Sequence, residues 1–219
     1  MSRFRALVER FEGGPIWTVG YLVYDPDSLE GIIIDVPLRT SEHLFRRIRE
    51  IGINLKFIIA THGHWDHIGE MTKLKSLTGS LVMGHPDDSW MMGDPNEMVM
   101  PPPERVDPVE IDLPVQDRGR FDVGRMSFEV IHTPGHSAGS ICLYEENDAI
   151  LFTGDTLFAG SIGRTDLPTG SSESITRSII EKILILPEDV IIYPGHGNES
   201  TLKSERMGNQ FVRMMSVER

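Results

Sequence analysis

Apolar residues along the chain fall into short runs parted by turn signals, and their spacing switches between strand and helix periods. Phe4–Phe11 and Ile16–Tyr24 read as strands separated by Gly13-Gly14-Pro15, and Gly31–Val36 supplies a third after the Asp25-Pro26-Asp27-Ser28 turn. These three predict an antiparallel meander. Thr40 or Ser41 is placed to cap a helix running to Ile51, with Leu44, Ile48 and Ile51 at helical spacing and Gly52 as its stop. A strand over Lys56–Ala60, a helix over Ile68–Leu77 and a strand over Ser80–Gly84 follow. Further strands are expected at Met126–His132, Ser140–Glu145, Ala149–Thr153 and Val190–Tyr193, with a helix over Ser172–Leu184. No repeat and no linker divides the sequence, so one α/β domain over residues 1–219 is expected.

The segment from Trp90 to Pro108 breaks the pattern. Met91, Met92, Met98 and Met100 precede Pro101-Pro102-Pro103, which rules out regular structure throughout. A loop of this length is either a lid or binding loop, or a covering for the edge of the core. Flexible methionines suit an adaptable apolar surface.

Composition narrows the field. Lys and Arg total 21 against 33 Asp and Glu, a formal charge of −12. Nucleic-acid affinity rests on cationic neutralisation of phosphates, so no nucleic-acid partner is expected. No apolar run approaches the roughly 20 residues needed to span a bilayer, so no membrane partner is expected either. A single cysteine, Cys142, excludes an internal disulfide and reads as an inert core residue within a strand. The opening Met1-Ser2-Arg3-Phe4-Arg5 lacks a signal-type apolar stretch, and a cytoplasmic location is expected.

The chemistry begins where the strand Phe57-Ile58-Ile59-Ala60 ends, at Thr61-His62-Gly63-His64-Trp65-Asp66-His67. Alternate residues of an extended segment share a face, so His62 and His64 can chelate one ion, while Asp66 and His67 aim at a neighbouring position. Three other apolar runs end the same way. Phe128–His132 leads through Thr133-Pro134-Gly135 to His136, Ile150–Thr153 through Gly154 to Asp155, and Val190–Tyr193 through Pro194-Gly195 to His196. In each, a glycine precedes the ligand-type residue and lets the backbone turn. Five histidines and two aspartates are thereby placed to converge on one rim. His43, inside a helix, His85, before Pro86, and His132, inside a strand, read as structural.

These motifs closely resemble the metallo-β-lactamase superfamily over about residues 16–200. The resemblance implies a four-layer αββα sandwich of two mixed sheets flanked by helices, with a binuclear metal site in a cleft at the sheet edges. By that resemblance His62, His64 and His136 hold the first of two divalent ions, Asp66, His67 and His196 the second, and Asp155 bridges them. Zinc is expected, and iron and manganese also suit such donors. Within the superfamily, Pro134–Ser140, Phe152–Phe158 and Gly160–Gly170 look like the short members of the glyoxalase II, or hydroxyacylglutathione hydrolase, branch. Two features depart from it. Only some twenty residues follow His196, where long members carry a helical domain that contacts glutathione, and Glu70 stands where a glycine is common.

The resemblance implies hydrolysis of a thioester, such as S-lactoylglutathione or another acylated thiol, by a metal-bound hydroxide that Asp66 orients and deprotonates. A small-molecule thioester or related acyl compound is the expected partner. Arg164 is placed to meet an anionic substrate group, unless it pairs with Asp166. The principal rival is a persulfide dioxygenase, in which one iron would use His62, His136 and Asp155. Lactone hydrolysis is a further alternative.

Overall fold

The computed structural model describes residues 5–217. Phe4, where the first strand is expected to begin, and the rest of the Met1–Phe4 opening lie outside them. The first sheet contains β1 (Leu7–Gly13), β2 (Thr18–Tyr24), β3 (Glu30–Ile34), β4 (Asn54–Ile59), β5 (Leu81–Gly84) and β6 (Leu113–Pro114) in sequence order. β1 to β3 form the predicted antiparallel meander, and β3 to β6 run parallel. The second sheet contains β7 (Arg120–Val123), β8 (Met126–His132), β9 (Ile141–Glu145) and β10 (Ile150–Gly154). A small hairpin, β11 (Leu157–Phe158) and β12 (Ser161–Ile162), follows. The second sheet is completed by β13 (Ile191–Pro194) and β14 (Ser200–Thr201), in the order β14-β13-β10-β9-β8-β7. Only the β10–β13 pairing is parallel in this sheet, so both sheets are mixed.

Helices cover the outer faces. α1 (Ser41–Ile51), α2 (Trp65–Ile68), α3 (Met71–Thr78) and α4 (Ser89–Gly93) accompany the first sheet in the chain, and α5 (Ser172–Ser178), α6 (Leu202–Gly208) and α7 (Gln210–Val217) the second. Strand alternation explains the layers. In β2, Val19, Tyr21 and Val23 face the space between the sheets, where they meet Phe128, Val130, Leu143 and Phe152. Leu22 of β2 turns the other way, toward Leu44 and Ile48 of α1 and Leu74 of α3. Cys142, Leu151 and Ile192 likewise face Ile175, Ile179 and Leu202 beyond the second sheet. Central strands buried on both faces read as continuous apolar runs, as β10 does. Three apolar seams thus separate four layers, helices, sheet, sheet, helices.

Two predicted elements differ in detail. The helix expected over 68–77 is two pieces, because Gly69 and Glu70 interrupt it between α2 and α3. A Cβ at Gly69 would lie 2.8 Å from Leu38 Cγ, and the Glu70 N–H bonds to Val36 O instead of continuing the helix. The separate turn of α2 sets Asp66 and His67 at the sheet edge. At the start of α1, neither Thr40 nor Ser41 caps through its own side chain. Thr40 Oγ1 donates to Pro37 O, and Glu70 Oε2 accepts from both the Ser41 N–H and the Ser41 hydroxyl, at 2.8 and 2.7 Å. A distant carboxylate therefore does the work of a helix cap. The α1 stop is as expected, with Gly52 at φ 83° and its N–H bonded to Ile48 O. The helix expected over 172–184 leaves α-helical geometry after Ser178 and finishes as a wider π-type turn over Ile179–Ile183.

Candidate functional site

All seven residues singled out at strand ends meet at one edge of the sandwich. His62 and His64 follow β4, Asp66 and His67 lie in α2, and His136, Asp155 and His196 follow β8, β10 and β13. The two sheets are tied together there, Val19 N–H donating to Gly195 O and Ile141 N–H to Thr61 O, each at 2.8 Å, while Gly195 N–H extends the β10–β13 pairing to Gly154 O, also at 2.8 Å. The glycines serve two different needs. Gly154 sits at φ 47°, where the β10 register slips just before Asp155. Gly195 answers a steric demand, since a Cβ there would approach Asp155 Oδ1 to 2.4 Å and His67 Cε1 to 2.6 Å.

The donors form three overlapping trios whose ligand-type atoms lie within 4.8 Å of one another: His62–His64–His136, His62–His67–Asp155 and Asp66–His67–His196. Asp155 stands between the outer two. Its Oδ1 is 3.2 Å from His67 Nε2, and its Oδ2 is 3.5 Å from both His136 Nε2 and His196 Nε2. Asp66 Oδ2 lies 3.2 Å from His67 Nε2 and 3.3 Å from His196 Nε2.

Outer partners turn the ring nitrogens inward. Asp35 Oδ2 accepts from His67 Nδ1 at 2.7 Å, and Arg164 O accepts from His136 Nδ1 at 2.9 Å. The Thr61 hydroxyl donates to Asp35 Oδ2 at 2.8 Å and so accepts from His62 Nδ1 at 3.1 Å. These acceptors turn Nε2 of His62, His67 and His136 inward, and although burial opposes charge, the carboxylates of Asp66, Asp155 and Asp35 raise His67 well above the ordinary histidine range, so an ion bound there would take the place of its Nε2 proton. His64 Nδ1 and His136 Nε2 face each other at 2.9 Å.

The electrostatics describe a site built for cations. Burial, reinforced by His67 and His136, drives His62 well below the ordinary histidine range, and burial with His136 pushes His64 down to about 4. Both are neutral donors at neutral pH. Burial opposes charge on Asp155 as well, but His67, His136 and His196 overcome it and hold the carboxyl far below its usual range. His62 Nε2, His67 Nε2 and Asp155 Oδ1 are buried without a hydrogen-bond partner. Three orphaned, inward-facing donors are costly unless something fills the space between them. A divalent ion fits that requirement in charge and donor type.

Three supporting residues escaped sequence reasoning. Asp35 ends the apolar run Ile32–Ile34, so it carried the same strand-end signal as the donors, and its φ of 57° marks the turn. Thr18 Oγ1 donates to Asp66 Oδ2 at 2.7 Å. Asp88 lies in a short turn after Pro86 and carried no such signal. Its carboxylate accepts from Gly63 N–H, Gly139 N–H and Ser137 Oγ at 2.8, 2.7 and 2.6 Å, which joins the loops bearing His62, His64 and His136.

The three histidines read as structural lie elsewhere. His43 is edge-on to Phe11 at 5.1 Å. His85 and His132, with Asp87, bring donor atoms close together. Their rings are stacked, however, at 4.0 Å and 9°, so no one ion can lie in both ring planes. His132 Nε2 is also engaged with Ala138 O at 2.8 Å.

A cavity of about 570 Å³ opens beside the donors. His64, Asp66, His136, Asp155 and His196 reach into it, and the 90–108 segment contributes Trp90, Met91, Glu97, Met98, Val99 and Met100. Arg164 also lines it, with its guanidinium forked onto Asp166 at 2.7 and 2.8 Å. No helix among the described residues is long and apolar enough to cross a membrane.

Residues 20–196 match the metallo-β-lactamase superfamily. Over 202 residues the chain is 37% identical to hydroxyacylglutathione hydrolase GloC of Haemophilus influenzae, covering 89% of this chain and 92% of that protein. It is 30% identical over 210 residues to the mitochondrial persulfide dioxygenase ETHE1 of Homo sapiens, covering 90% of this chain and 76% of that protein. The crystal structure of TTHA1623 in a di-iron-bound form superposes with a TM-score of 0.82 at 30% identity, covering 93% of this chain and all of that one, 100%. The strand-end donors, the two mixed sheets with flanking helices and this similarity along most of the sequence make the chain a member of the metallo-β-lactamase superfamily.

Proposed function

We propose that this protein is a binuclear metallo-hydrolase that cleaves acyl thioesters. His62, His64 and His136 would hold one ion, Asp66, His67 and His196 the second, and Asp155 both. The observation that carries this reading is the complete second trio, Asp66–His67–His196, packed beside the first and sharing Asp155 with it. Divalent ions so held supply Lewis acidity toward a carbonyl oxygen and lower the pKa of water from about 16 toward 7.

The chain's own residues supply the rest. Asp66 reaches the cavity, is oriented by the Thr18 hydroxyl, and takes the proton of the attacking water. Asp35 and the Arg164 carbonyl hold the His67 and His136 rings in the donor orientation. Hydrolysis forms a C–O bond and breaks the C–S bond, giving a carboxylate and a thiol. A thiolate with a pKa near 8.5 leaves without a dedicated acid, consistent with a cavity whose other lining residues are mostly apolar. Cys142 is fully buried, and burial pushes its thiol up to about 11, which removes it as a nucleophile.

The likeness to GloC supports thioester hydrolysis, and the likeness to ETHE1 keeps persulfide oxygenation as the second reading. A mononuclear iron site on His62, His136 and Asp155 would leave the second trio without work, which favours the hydrolase. Turnover of a thioester panel by metal-replete protein, with a loss of about 100-fold or more in kcat in Asp66→Asn, supports the reading. Failure to cleave any acyl thioester overturns it.

A further inference from the structure

Apart from the donor residues, Glu97 and Arg164, every residue lining the cavity is apolar. Trp90 comes from α4, Met98 and Met100 from the segment after it, and Phe158, Ile162 and Leu167 from the chain after β10. Much of this surface lies open: Trp90 is 51% exposed, Val99 73% and Met100 50%. Clustered apolar exposure of this kind on a concave wall marks a binding surface.

The charged groups point the same way. Arg164 has Nε and one terminal nitrogen committed to Asp166, and its other terminal nitrogen faces Met100 Sδ at 3.3 Å. Glu97 adds negative charge to the wall. A substrate bearing carboxylates would therefore meet a single side-chain cation in the lining, Arg164, whose charge Asp166 already balances and whose remaining terminal nitrogen is covered by the Met100 sulfur.

The wall is also anchored. Trp65 Nε1, next to Asp66, donates to Met100 O at 2.8 Å. Asn96 pairs with the Val106 backbone through both of its amide atoms at 2.8 and 3.0 Å, and Val109 N–H closes the base of the segment onto Met92 O at 2.8 Å. The methionines adjust by rotamer on a held backbone, which suits alkyl and aryl groups of varied shape.

We infer that the cavity takes an uncharged apolar acyl group, alkyl or aryl, packed against Trp90, Met98, Val99 and Met100, so that apolar acyl thioesters are preferred over hydroxyacyl thioesters of an anionic carrier. This deepens the hydrolase reading and rests on it. The segment 90–108 then acts as a specificity wall.

The test uses metal-replete protein with S-acyl-N-acetylcysteamine esters from acetyl to octanoyl, alongside S-lactoylglutathione. Binding of the non-hydrolysable S-hexyl-N-acetylcysteamine thioether is measured by calorimetry. The expected result is a rise in kcat/KM of about fourfold per methylene up to hexanoyl. Met98→Asp and the fold-safe Val99→Asp should each flatten the rise and weaken thioether binding by roughly tenfold. A flat series with S-lactoylglutathione preferred, or a gradient that survives both variants, overturns the inference and leaves the hydrolase reading standing. Tight, variant-sensitive thioether binding without cleavage of any thioester upholds the apolar pocket and overturns the hydrolase reading.

Discussion

The Asp88 carboxylate accepts a 2.6 Å hydrogen bond from the Ser137 hydroxyl, and through it the loop ending β8 is fastened to the turn that precedes α4. The same carboxylate takes the Gly63 and Gly139 amides, so one buried anion fixes the backbone on both sides of the His62–His64–His136 trio. Asp88→Ala leaves the Gly63 and Gly139 amides without an acceptor, while the Ser137 hydroxyl keeps Ser140 Oγ at 2.8 Å. At about 1–3 kcal/mol for each unsatisfied group, the loss of stability should be at least about 2 kcal/mol, read from urea unfolding. Metal retention should weaken by roughly tenfold or more, as expected when an outer partner of a metal site is removed. An Asp88→Ala protein with unchanged unfolding midpoint and metal content would show that this carboxylate positions nothing.

Glu70 caps a helix to which it does not belong. Because Glu70 Oε2 caps Ser41 at the start of α1, Glu70→Ala should cost about 1 kcal/mol and lower the melting temperature by a few degrees. Metal content and thioester turnover should stay at wild-type levels. A turnover loss without a stability loss would move Glu70 from the fold to the site.

Asp25 gives the stability an acid limb. The Arg125 guanidinium and the Asp27 and Arg125 amides hold its buried carboxyl far below the usual range. A depressed folded pKa means that the contribution is complete above the unfolded value near 4 and is lost as pH falls toward the folded value. Asp25→Asn should cost about 3 kcal/mol at pH 7. The gap between wild type and variant in urea midpoint should narrow from pH 5 to pH 3. A gap that stays constant with pH would contradict the pairing.

Cys142 should be silent toward thiol reagents in the native state. It is fully buried, its thiol is pushed up to about 11, and its Sγ lies 3.5 Å from Thr133 Oγ1. Disulfide-exchange reagents should label it only after denaturation, and native turnover should be unaffected by them. Rapid native labelling would place it at an accessible surface.

Much of this site was legible because each donor terminates an apolar strand. Burial on both faces makes β10 a continuous apolar run, shorter apolar stretches close β4, β8 and β13, and the polar residue that follows each sits at a sheet edge. His62, His136, Asp155 and His196 were found that way. Asp35 carries the same mark at the end of β3 but follows Ile34 directly, without the glycine that precedes His136, Asp155 and His196. Asp88 could not be read from the chain, since its value lies in three contacts made across 25 to 51 residues of sequence. The break between α2 and α3 was hidden for a related reason. Periodicity runs through Gly69 and Glu70, and the contacts that stop the helix, to Leu38, Val36 and Ser41, are tertiary. Short strands such as β6 and β14, each two residues long, carry too little pattern to be seen in sequence.

Metal stoichiometry decides whether the two outer trios each hold an ion for hydrolysis. Elemental quantification of protein as isolated, and of His196→Ala, should give two divalent ions per chain falling to one, with thioester turnover lost in step, whereas wild-type protein stripped by a chelator should regain its turnover when the ions are returned. One iron per chain in the wild type, unchanged in His196→Ala and accompanied by persulfide-dependent oxygen uptake, would contradict the two-ion hydrolase.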